Sequence, residues 1–542
     1  MEPIEFNLLE EPWIRVMTED CTVRECSLTQ VLLESHCYQR LAGELPTQDV
    51  AILRLLLAVL HTVFYRVDPE GEENPIQDPY TACKRWSALW QAGRLPEKPI
   101  LAYLEEWKER FWLFHPEHPF YQVPGASEGT EYKAPKLNGE LSESNNKIRL
   151  FPNRTGEEKM KLSYAEGARW LIYTNGFDDT SAKPKGKGLP SPGAGWMGKL
   201  GLIYAEGKNL FETLLLNLVL LEDGKELWEA PQPVWEREKP KEGERTEIVM
   251  PNNQAELLTL QSRRLALERK EKSVIGYSLL GGDFFSKINA TAEQMTMWER
   301  KSGKKTEPPY DQPKRMNPER QMWRDFSIIN GTETKERIPG VVNWIMVLKR
   351  RNLLDRNRLI RFRMAGVKYG DKDFFVEDIL TDHLDFYADF LDEAGKLWAN
   401  LVQKEIGRIE RTAGLMSKLA EKIFKAEGGV EPKQTEECRH RAAQEYYSVA
   451  DIPFRKWLCS IDPAQGDGEY LRIEKDEQWR AEGYQIARRQ GERMVREAGE
   501  AAFVGRQTEG KIFSSVTAFQ SFSREIRKCW DIKKTEKEAS NE

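Results

Sequence analysis

The stretch KPKGKGLPSPGAGWMGKLGLIYAEGKNLFETLLLNLVLL, residues 183–221, joins a basic, glycine-rich segment to an apolar one. From Thr180 to Ala205 the chain carries four lysines and six glycines but no acidic residue. Glycine lets a backbone come close to another molecule, and cationic charge beside it attracts phosphates. The stretch therefore predicts a flexible cationic loop that leads into buried structure. Its role is either that of a plain surface loop or that of a loop that contacts nucleic acid.

Two phosphate-binding patterns occur within this stretch, and both are incomplete. Gly193–Gly198 fits the dinucleotide fingerprint G-x-G-x-x-G, but that motif must open a helix, whereas residues 200–205 are typical of a strand. Gly193–Lys199 fits G-x-x-x-x-G-K, but Leu200 stands where a Ser or Thr hydroxyl would hold Mg²⁺. We therefore expect neither a dinucleotide site nor a working P-loop.

Length and composition indicate a large globular protein. The chain has 542 residues, 40% of them hydrophobic, and a net charge of −6, so we expect two or three domains. A net acidic chain has to hold a polyanion by local basic patches rather than by its overall field. The longest apolar runs, such as Leu55–Leu60, are much shorter than the ~20 residues of a bilayer span, and the N-terminus has no signal-peptide core. We expect a cytoplasmic protein with no membrane partner.

No metal or cofactor is expected. The seven cysteines lack metal-binding spacing and are expected to be free thiols in a reducing compartment. His115 and His118 could act as metal ligands, but two prolines exclude a helix there and no third Cys or His lies nearby. The segment is expected to be a structural turn.

The first part of the chain predicts a mixture of strands and helices. The expected elements are short strands in 6–16, a buried helix after Pro46, helices at 100–114 and 162–177, a strand at 200–205 and a buried helix at 210–221. An apolar cluster at 148–154 interrupts the polar segment 124–161. An ordered patch in so long a loop is often functional, but it can also simply anchor the loop.

Two basic runs follow, at 300–324 and 349–368. In the second, Ile360–Arg363 alternates apolar and cationic residues like a strand and leads to the turn-forming residues 369–372. This face is either an ordinary solvated strand face or a track for phosphates. A charged segment at 263–272 is expected to be a solvated face.

After residue 375 the pattern becomes helical. Four amphipathic segments, the first with apolar residues from Trp398 to Ile423 and the others near 435–462, 471–503 and 512–531, predict a four-helix bundle. The expected fold class is α+β, with a large mixed α/β N-terminal domain at 1–375 and the four-helix bundle at 376–542. The last ten residues, KKTEKEASNE, are expected to be disordered.

Four segments together carry a resemblance to a known family. They are FNLLEEPWIRV, LPTQDVAILRLLLAVL, HPEHPFYQV and GAGWMGKLGLIYAEGKNLFETLLLNLV, and they resemble the large (CasA-type) subunit of the type I-E CRISPR surveillance complex, Cascade. The resemblance covers essentially the whole chain, and its specificity lies in the combination of the segments. It implies a large mixed α/β domain followed by a four-helix bundle.

The resemblance also implies a function without catalysis. Such a subunit reads the protospacer-adjacent motif (PAM) in double-stranded DNA, helps to open the duplex for R-loop formation, and supports recruitment of a separate helicase-nuclease. The implied partners are crRNA, target DNA, the helicase-nuclease and the other Cascade subunits, including the backbone and small subunits. Two alternatives remain: a scaffold that holds crRNA without reading DNA, and an enzyme that hydrolyses nucleotides or cuts nucleic acid.

The resemblance implies particular DNA-contacting residues. A Phe-x-Asn element near the PAM and the crRNA 5′ end would be Phe151-Pro152-Asn153. The glycine loop on the PAM duplex would be Lys185-Gly186-Lys187-Gly188, and Lys199 ends the same basic segment. The cation that enters the minor groove would be Arg300 or Lys301.

The resemblance also implies a wedge that splits the duplex, at a turn after a basic strand. The residues there are Tyr369, Gly370, Asp371 and Lys372. Asp371 stands where the family pattern has glutamine. Either the wedge lies at a neighbouring residue, or this chain's wedge works differently.

Overall fold

The computed structural model describes residues 3–143, 147–180, 193–238, 250–283, 287–303, 308–332, 337–355, 357–466, 468–508 and 511–532. The chain divides into two compact units. Unit 1 comprises Met1–Pro318, Thr334–Leu354 and Ile360–His383, and unit 2 comprises Glu319–Glu333, Asp355–Leu359 and Leu384–Glu542. The predicted disordered tail, 533–542, lies outside the described residues.

The helices in the described residues include one long core helix in unit 1 and three helices of about thirty residues in unit 2. They are α1 (Leu28–Leu33), α2 (Pro46–Arg66), α3 (Pro79–Ala92), α4 (Glu97–Glu106), α5 (Ala134–Leu137), α6 (Tyr164–Phe177), α7 (Leu210–Leu216), α8 (Gln254–Leu258), α9 (Phe326–Asn330), α10 (Gly340–Arg350), α11 (Lys396–Ala426), α12 (Pro432–Cys459), α13 (Glu469–Glu497), α14 (Glu500–Val504) and α15 (Ser515–Cys529).

The strands are mostly short. They are β1 (Glu5–Asn7), β2 (Ile14–Thr18), β3 (Val23–Cys26), β4 (Tyr38–Leu41), β5 (Trp112–Phe114), β6 (Thr130–Lys133), β7 (Leu202–Glu206), β8 (Leu221–Glu222), β9 (Glu226–Leu227), β10 (Arg263–Lys270), β11 (Ser273–Gly281), β12 (Trp298–Lys301), β13 (Tyr310–Pro313), β14 (Leu359–Tyr369), β15 (Val376–Tyr387), β16 (Arg506–Thr508) and β17 (Lys511–Phe513). Three-stranded sheets form in the orders β3-β2-β4, β10-β11-β6 and β15-β14-β7. Two-stranded pairs are β1-β5, β8-β9, β12-β13 and β16-β17. The predicted mixture of helix and strand is confirmed.

Unit 1 is built around α2. Pro46 occupies the first turn of this helix, where a missing N–H costs nothing, and Asp49 lies in the same turn. By length and composition α2 could cross a bilayer, but 94% of its apolar window is buried inside the protein. Such burial is that of a core helix, as the sequence predicts for this segment.

Unit 2 contains the predicted four-helix bundle. Helix α11 packs against α12, α13 and α15, and α13 packs against α12 and α15. Trp457, Trp479 and Trp530 lie in its interior. The helices approach closely at Gly483, where a Cβ atom would stand 2.1 Å from the Trp530 ring. A small residue at this position lets the indole pack directly on the α13 backbone.

Three predicted helices differ from the structure. The segment 100–114 is helical only to Glu106, and Trp112–Phe114 is a strand because it pairs with β1. Helix α7 ends at Leu216, where Asn217 donates to Ala205 O at 2.7 Å and accepts from Ala205 N at 2.9 Å. The chain after 375 is not helical at once, because β15 pairs with β14 first. The proposed domain boundary at 375 falls between these two strands.

Candidate nucleic-acid interface

The basic strand β14 has one apolar and one cationic face, as its alternation predicts. Ile360 and Phe362 are buried, whereas Arg361 lies on the exposed side. Glu206 on β7 pairs with Arg361 at 3.3 Å and with Arg363 at 2.7 Å. A carboxylate that bridges two arginines neutralises much of their charge. This pairing favours a solvated strand face over a phosphate track.

The hairpin turn Gly370–Phe375 joins β14 to β15 and is held by its own backbone. Gly370 N donates to Phe375 O at 2.9 Å, and Asp373 N donates to Gly370 O at 3.0 Å. Lys372 and Asp373 adopt left-handed backbone conformations, with φ of 52° and 60°. Arg315 forms a bidentate pair with Asp373, both contacts at 2.8 Å. The turn is therefore clamped from a separate segment of unit 1.

The four residues that the resemblance implies as a wedge lie in two different environments. The Tyr369 hydroxyl donates to Phe177 O at 2.7 Å, and burial raises the pKa of this phenol well above its ordinary value. A Cβ atom at Gly198 would stand 2.1 Å from this hydroxyl, so the ring packs against the glycine-rich segment. Asp371 and Lys372 are exposed. Tyr369 anchors the turn, whereas Asp371 and Lys372 are free to reach another molecule.

A second loop, residues 147–153, contacts this turn. The Lys147 ammonium donates to Phe374 O and lies 5.8 Å and 5.3 Å from the ring centroids of Phe374 and Phe375. Burial lowers the pKa of Lys147. The loop therefore begins against the hairpin turn through a cation that is shared between a carbonyl and two rings.

Beyond Lys147 this loop exposes apolar side chains. Ile148, Leu150 and Phe151 are 74%, 84% and 88% exposed. Arg149 is exposed as well, but its Nε donates to Leu141 O at 2.7 Å, which ties the loop to the residues before it. Asn153 is exposed as well. A group of exposed apolar side chains of this kind is typical of a binding surface, so simple anchoring to the core is disfavoured.

The two ends of the glycine-rich loop, at Thr180 and Gly193, lie close to each other and beside the hairpin turn. Thr180 N donates to Asp373 O of the hairpin turn at 2.8 Å. The Arg263 guanidinium spans the two ends, donating to Asp179 O at 3.1 Å and to Gly193 O at 2.6 Å. The predicted DNA-contacting residues Lys185, Gly186, Lys187 and Gly188 lie outside the described residues.

Buried ion pairs fix these loop ends. Arg263 pairs with Asp178 at 2.6 Å, and Lys136 pairs with Asp179 at 2.6 Å, with all four side chains almost completely buried. Removing one partner of such a pair leaves an uncompensated buried charge. The loop therefore starts and ends on a rigid base.

The segment after the loop is fixed by a second buried network. Trp196 Nε1 donates to Glu293 Oε2 at 2.8 Å, and Arg54 of α2 forms two hydrogen bonds to Glu293 at 2.9 and 3.0 Å. Burial opposes the ionisation of Glu293, but the contacts with Arg54 and Trp196 prevail and lower the pKa of this carboxyl. Lys199, 8% exposed, is buried here beside Gly193. Its burial leaves little of the side chain for a phosphate.

Arg300 and Lys301 lie on a different hairpin, β12–β13. Arg300 pairs with Asp311 across the two strands at 2.9 Å, and Lys301 pairs with Glu299 at 2.9 Å. Both side chains are more than two fifths exposed. The turn of this hairpin, 304–307, lies outside the described residues.

Several residues of this region were not singled out by the sequence patterns. Lys147 lies in a segment without a motif, whereas Arg263 and Arg315 lie in the charged segment 263–272 and in the basic run 300–324. Only the contacts of these three residues reveal their role. Phe374 and Phe375 had a signal, because two adjacent aromatics one residue after a turn tetrapeptide are unusual for a solvated loop. They are 43% and 38% exposed.

The described residues contain no group of three or more His, Cys, Asp or Glu placed to hold a metal ion. The structural-turn interpretation of the His115 segment is supported, since His115 Nδ1 accepts from Glu117 N at 3.1 Å and from His118 N at 2.9 Å. These contacts form a compact turn and engage one of the two ring nitrogens of His115.

Comparison with known proteins identifies relatives over most of the chain. The family described as CRISPR-associated protein Cse1 matches residues 7–490. CRISPR-associated protein CasA/Cse1 of Thermus thermophilus is 36% identical over 228 residues. That alignment covers 42% of this chain and 42% of the Thermus protein, so the chain spans about two fifths of the length of the curated relative it matches.

Solved structures share the whole fold. Cse1 of Thermobifida fusca superposes with a TM-score of 0.82 at 28% identity, covering 97% of this chain and 98% of that protein. A chain of a CRISPR RNA-guided surveillance complex superposes with a TM-score of 0.71, covering 98% of this chain and all of that one, and at 17% identity it shows a shared fold. The expected resemblance to the CasA-type large subunit is confirmed, and the chain belongs to the family of CRISPR-associated protein Cse1.

Proposed function

We propose that this protein reads the PAM of double-stranded DNA and helps to open the duplex, as a non-catalytic subunit of a crRNA-guided surveillance complex. Its relatives carry the name Cse1 or CasA, and one superposable chain belongs to a complex described as RNA-guided. The proposed partners are target DNA, crRNA, the other subunits of the complex and a separate helicase-nuclease. The proposed location is the cytoplasm, where such DNA is encountered.

The observation that carries this proposal is the meeting of three segments, here named the loop junction. It consists of the hairpin turn Gly370–Phe375, the loop 147–153, and the loop ends Thr180 and Gly193. Lys147 contacts the turn at Phe374, and Thr180 contacts it at Asp373. The sequence resemblance assigned these segments separately to the wedge, the Phe-x-Asn element and the glycine loop.

The chemistry of the loop junction suits an opening duplex. The glycine loop provides cations beside backbone that can come close to phosphates. The exposed side chains of Phe151, Phe374 and Phe375 provide apolar and aromatic surface against which unpaired bases can stack. Separating the first base steps costs a few kcal/mol each, and formation of the RNA–DNA hybrid is nearly balanced, so modest contacts can favour it.

Replacement of Lys185 and Lys187 by alanine tests the glycine loop. We expect weaker binding of PAM-containing duplex by the reconstituted complex and a shallower dependence of log affinity on log salt, by about 0.9 per lost phosphate contact. A matched control replaces Lys84 and Lys208, two exposed lysines of unit 1, by alanine. If both double variants show the unaltered slope, the glycine loop does not contact DNA phosphates.

A purely structural subunit would behave differently. A scaffold that only holds crRNA would leave the complex equally sensitive to the PAM after either double substitution, and its removal would lower all binding without regard to the PAM. An enzyme would hydrolyse nucleotides or degrade DNA as the isolated chain with Mg²⁺. Both outcomes are measured with the same purified proteins.

A further inference from the structure

Unit 1 has a groove between α10 and the β8–β9 hairpin. None of the residues that line this groove belongs to the loop junction. It encloses about 420 Å³. The hairpin turn packs directly on the helix, because a Cβ atom at Gly224, whose φ is 73°, would stand 2.6 Å from Val347 Cγ2. Met346 and Val347 of α10 and Ile338 provide its apolar surface.

The lining of this groove is strongly cationic. Lys225, Arg350 and Arg351 line it and are exposed. Arg337 also lines it and forms an ion pair with Asp223 at 2.5 Å. Four cations against this one carboxylate leave an excess of about three positive charges in the lining, on a chain whose net charge is −6.

The groove cations differ from the other basic residues in their ion pairing. Arg361 and Arg363 share Glu206, Arg300 pairs with Asp311, and Lys301 pairs with Glu299. In the part of the chain that the structure describes, no carboxylate lies within ion-pair distance of the three groove cations Lys225, Arg350 and Arg351. Among the described residues of the basic run 349–368, Arg350 and Arg351 at its beginning are therefore more open to a ligand than Arg361 and Arg363 of strand β14.

An exposed aromatic residue lies beside the groove. Arg351 Nη1 donates weakly to Pro79 O at 3.5 Å, and the next residue, Tyr80, is 70% exposed at the start of α3. Cations along a groove with an adjacent exposed ring form the usual arrangement for single-stranded nucleic acid, in which the phosphates follow the cations and a base stacks on the ring. An acidic peptide would use the same cations but would not need the ring.

We propose that the α10 groove binds a short stretch of single-stranded nucleic acid, with its phosphates at Lys225, Arg350 and Arg351 and a base against Tyr80. A volume of about 420 Å³ accommodates one or two nucleotides. The proposal does not rest on the role of the loop junction, since neither the groove nor Tyr80 contributes to it.

The test measures binding of the full-length purified chain to fluorescein-labelled oligo(dT) and oligo(U) twelve-mers by anisotropy as salt is varied. Replacing Lys225, Arg350 and Arg351 by alanine is expected to weaken binding at least tenfold at low salt. The slope of log affinity against log salt should fall by about 2, since each phosphate on a single strand contributes about 0.7. The DNA and RNA arms show which backbone is preferred.

The control replaces Lys84, Lys208 and Arg361 by alanine, which changes the net charge by the same amount. This variant is expected to keep the original slope of log affinity against log salt. Tyr80→Ala is expected to weaken binding about fivefold or more with the slope unchanged, because stacking is not ionic. Thermal unfolding verifies that each variant is folded. Equal slopes for the two triple variants would overturn the proposal. So would displacement of the oligonucleotide by polyglutamate with no effect of Tyr80→Ala, which would indicate an acidic protein partner.

Discussion

At the scale of single residues, some side chains of the hairpin turn hold it to the rest of unit 1, whereas others are exposed to another molecule. Tyr369 donates a hydrogen bond to Phe177 O and packs on Gly198, and Asp373 pairs with Arg315. Asp371 and Lys372, which lie between them in the sequence, are exposed. Asp371, at the position where the resemblance implies glutamine, is a shorter and anionic side chain that phosphates repel. If a wedge acts here, the exposed rings of Phe374 and Phe375 are better suited than Asp371 to hold apart the first bases.

The turn is expected to affect duplex opening more than initial binding. We predict that Asp371→Ala together with Lys372→Ala, or Phe375→Ala alone, slows strand opening several-fold in the reconstituted complex while duplex affinity changes less than twofold. Opening is followed by 2-aminopurine fluorescence at the first target base pair, and affinity by gel mobility shift. Lys272→Ala, on the β10–β11 turn, serves as a control. Equal losses in both assays would contradict this division.

At the scale of elements, the close approach of α13 to α15 makes a packing prediction. We expect Gly483→Ala to destabilise unit 2 by about 1–3 kcal/mol, since the added methyl would stand 2.1 Å from the Trp530 ring. The matched control is Gly414→Ala on an exposed face of α11, where nothing lies within 4 Å. Alanine is the better helix former, so this variant is expected to gain about 0.5–1 kcal/mol. Urea unfolding followed by tryptophan fluorescence measures both, and a stable Gly483→Ala variant would contradict the packing.

A buried carboxyl in α11 is expected to make the stability of the bundle depend on pH. Glu405 is fully buried, and neither of its oxygens has a hydrogen-bond donor among the described residues. Burial raises the pKa of Glu405 to about 8, with Arg408 opposing the change and Asp476 of α13 reinforcing it. Lys404 lies at 3.9 Å, and Arg408 at 3.4 Å also pairs with Asp531. The carboxyl is therefore mostly protonated at neutral pH.

The sign of the pH effect follows from this raised pKa. Between the ordinary value of 4.5 and about 8, folded Glu405 holds a proton that the unfolded chain has released. Its contribution to stability is therefore present below pH 4.5 and is lost as pH rises to about 8, by up to about 1.4 kcal/mol per pH unit. Glu405→Gln should flatten this slope in urea unfolding between pH 5 and 9. An unchanged slope would show that Glu405 is ionised in the fold.

The elements that were predicted correctly are those whose sequence signal is local. Helix α2 has proline in its first turn and an apolar run, the bundle helices repeat at helical spacing, and β14 alternates from Ile360 to Arg363. The failures arose from strand pairing: Trp112–Phe114 is a strand because the distant strand β1 is its partner, and the residues after 375 form a strand because they return along β14 in a hairpin. No periodicity encodes such pairings.

At the scale of the whole molecule, the resemblance identified the family and the segments of the loop junction, but not how they meet. The contacts that join them, from Lys147 to Phe374 and from Thr180 to Asp373, link residues about 200 positions apart. Arg263, which ties the two ends of the glycine loop, lies in a segment whose charge pattern predicts a solvated face, yet it is buried. That prediction is wrong for Arg263, because the carboxylate of Asp178 compensates its charge inside the protein.

The central claim is that this subunit supplies PAM recognition to the complex. The most direct measurement is the binding of reconstituted complexes, with and without this chain, to a pool of duplexes that share one target but are randomised at the PAM, followed by sequencing of the bound fraction. The account predicts that a small set of PAM sequences is enriched by the full complex and that the enrichment disappears when the chain is omitted. Equal enrichment by both complexes would contradict it.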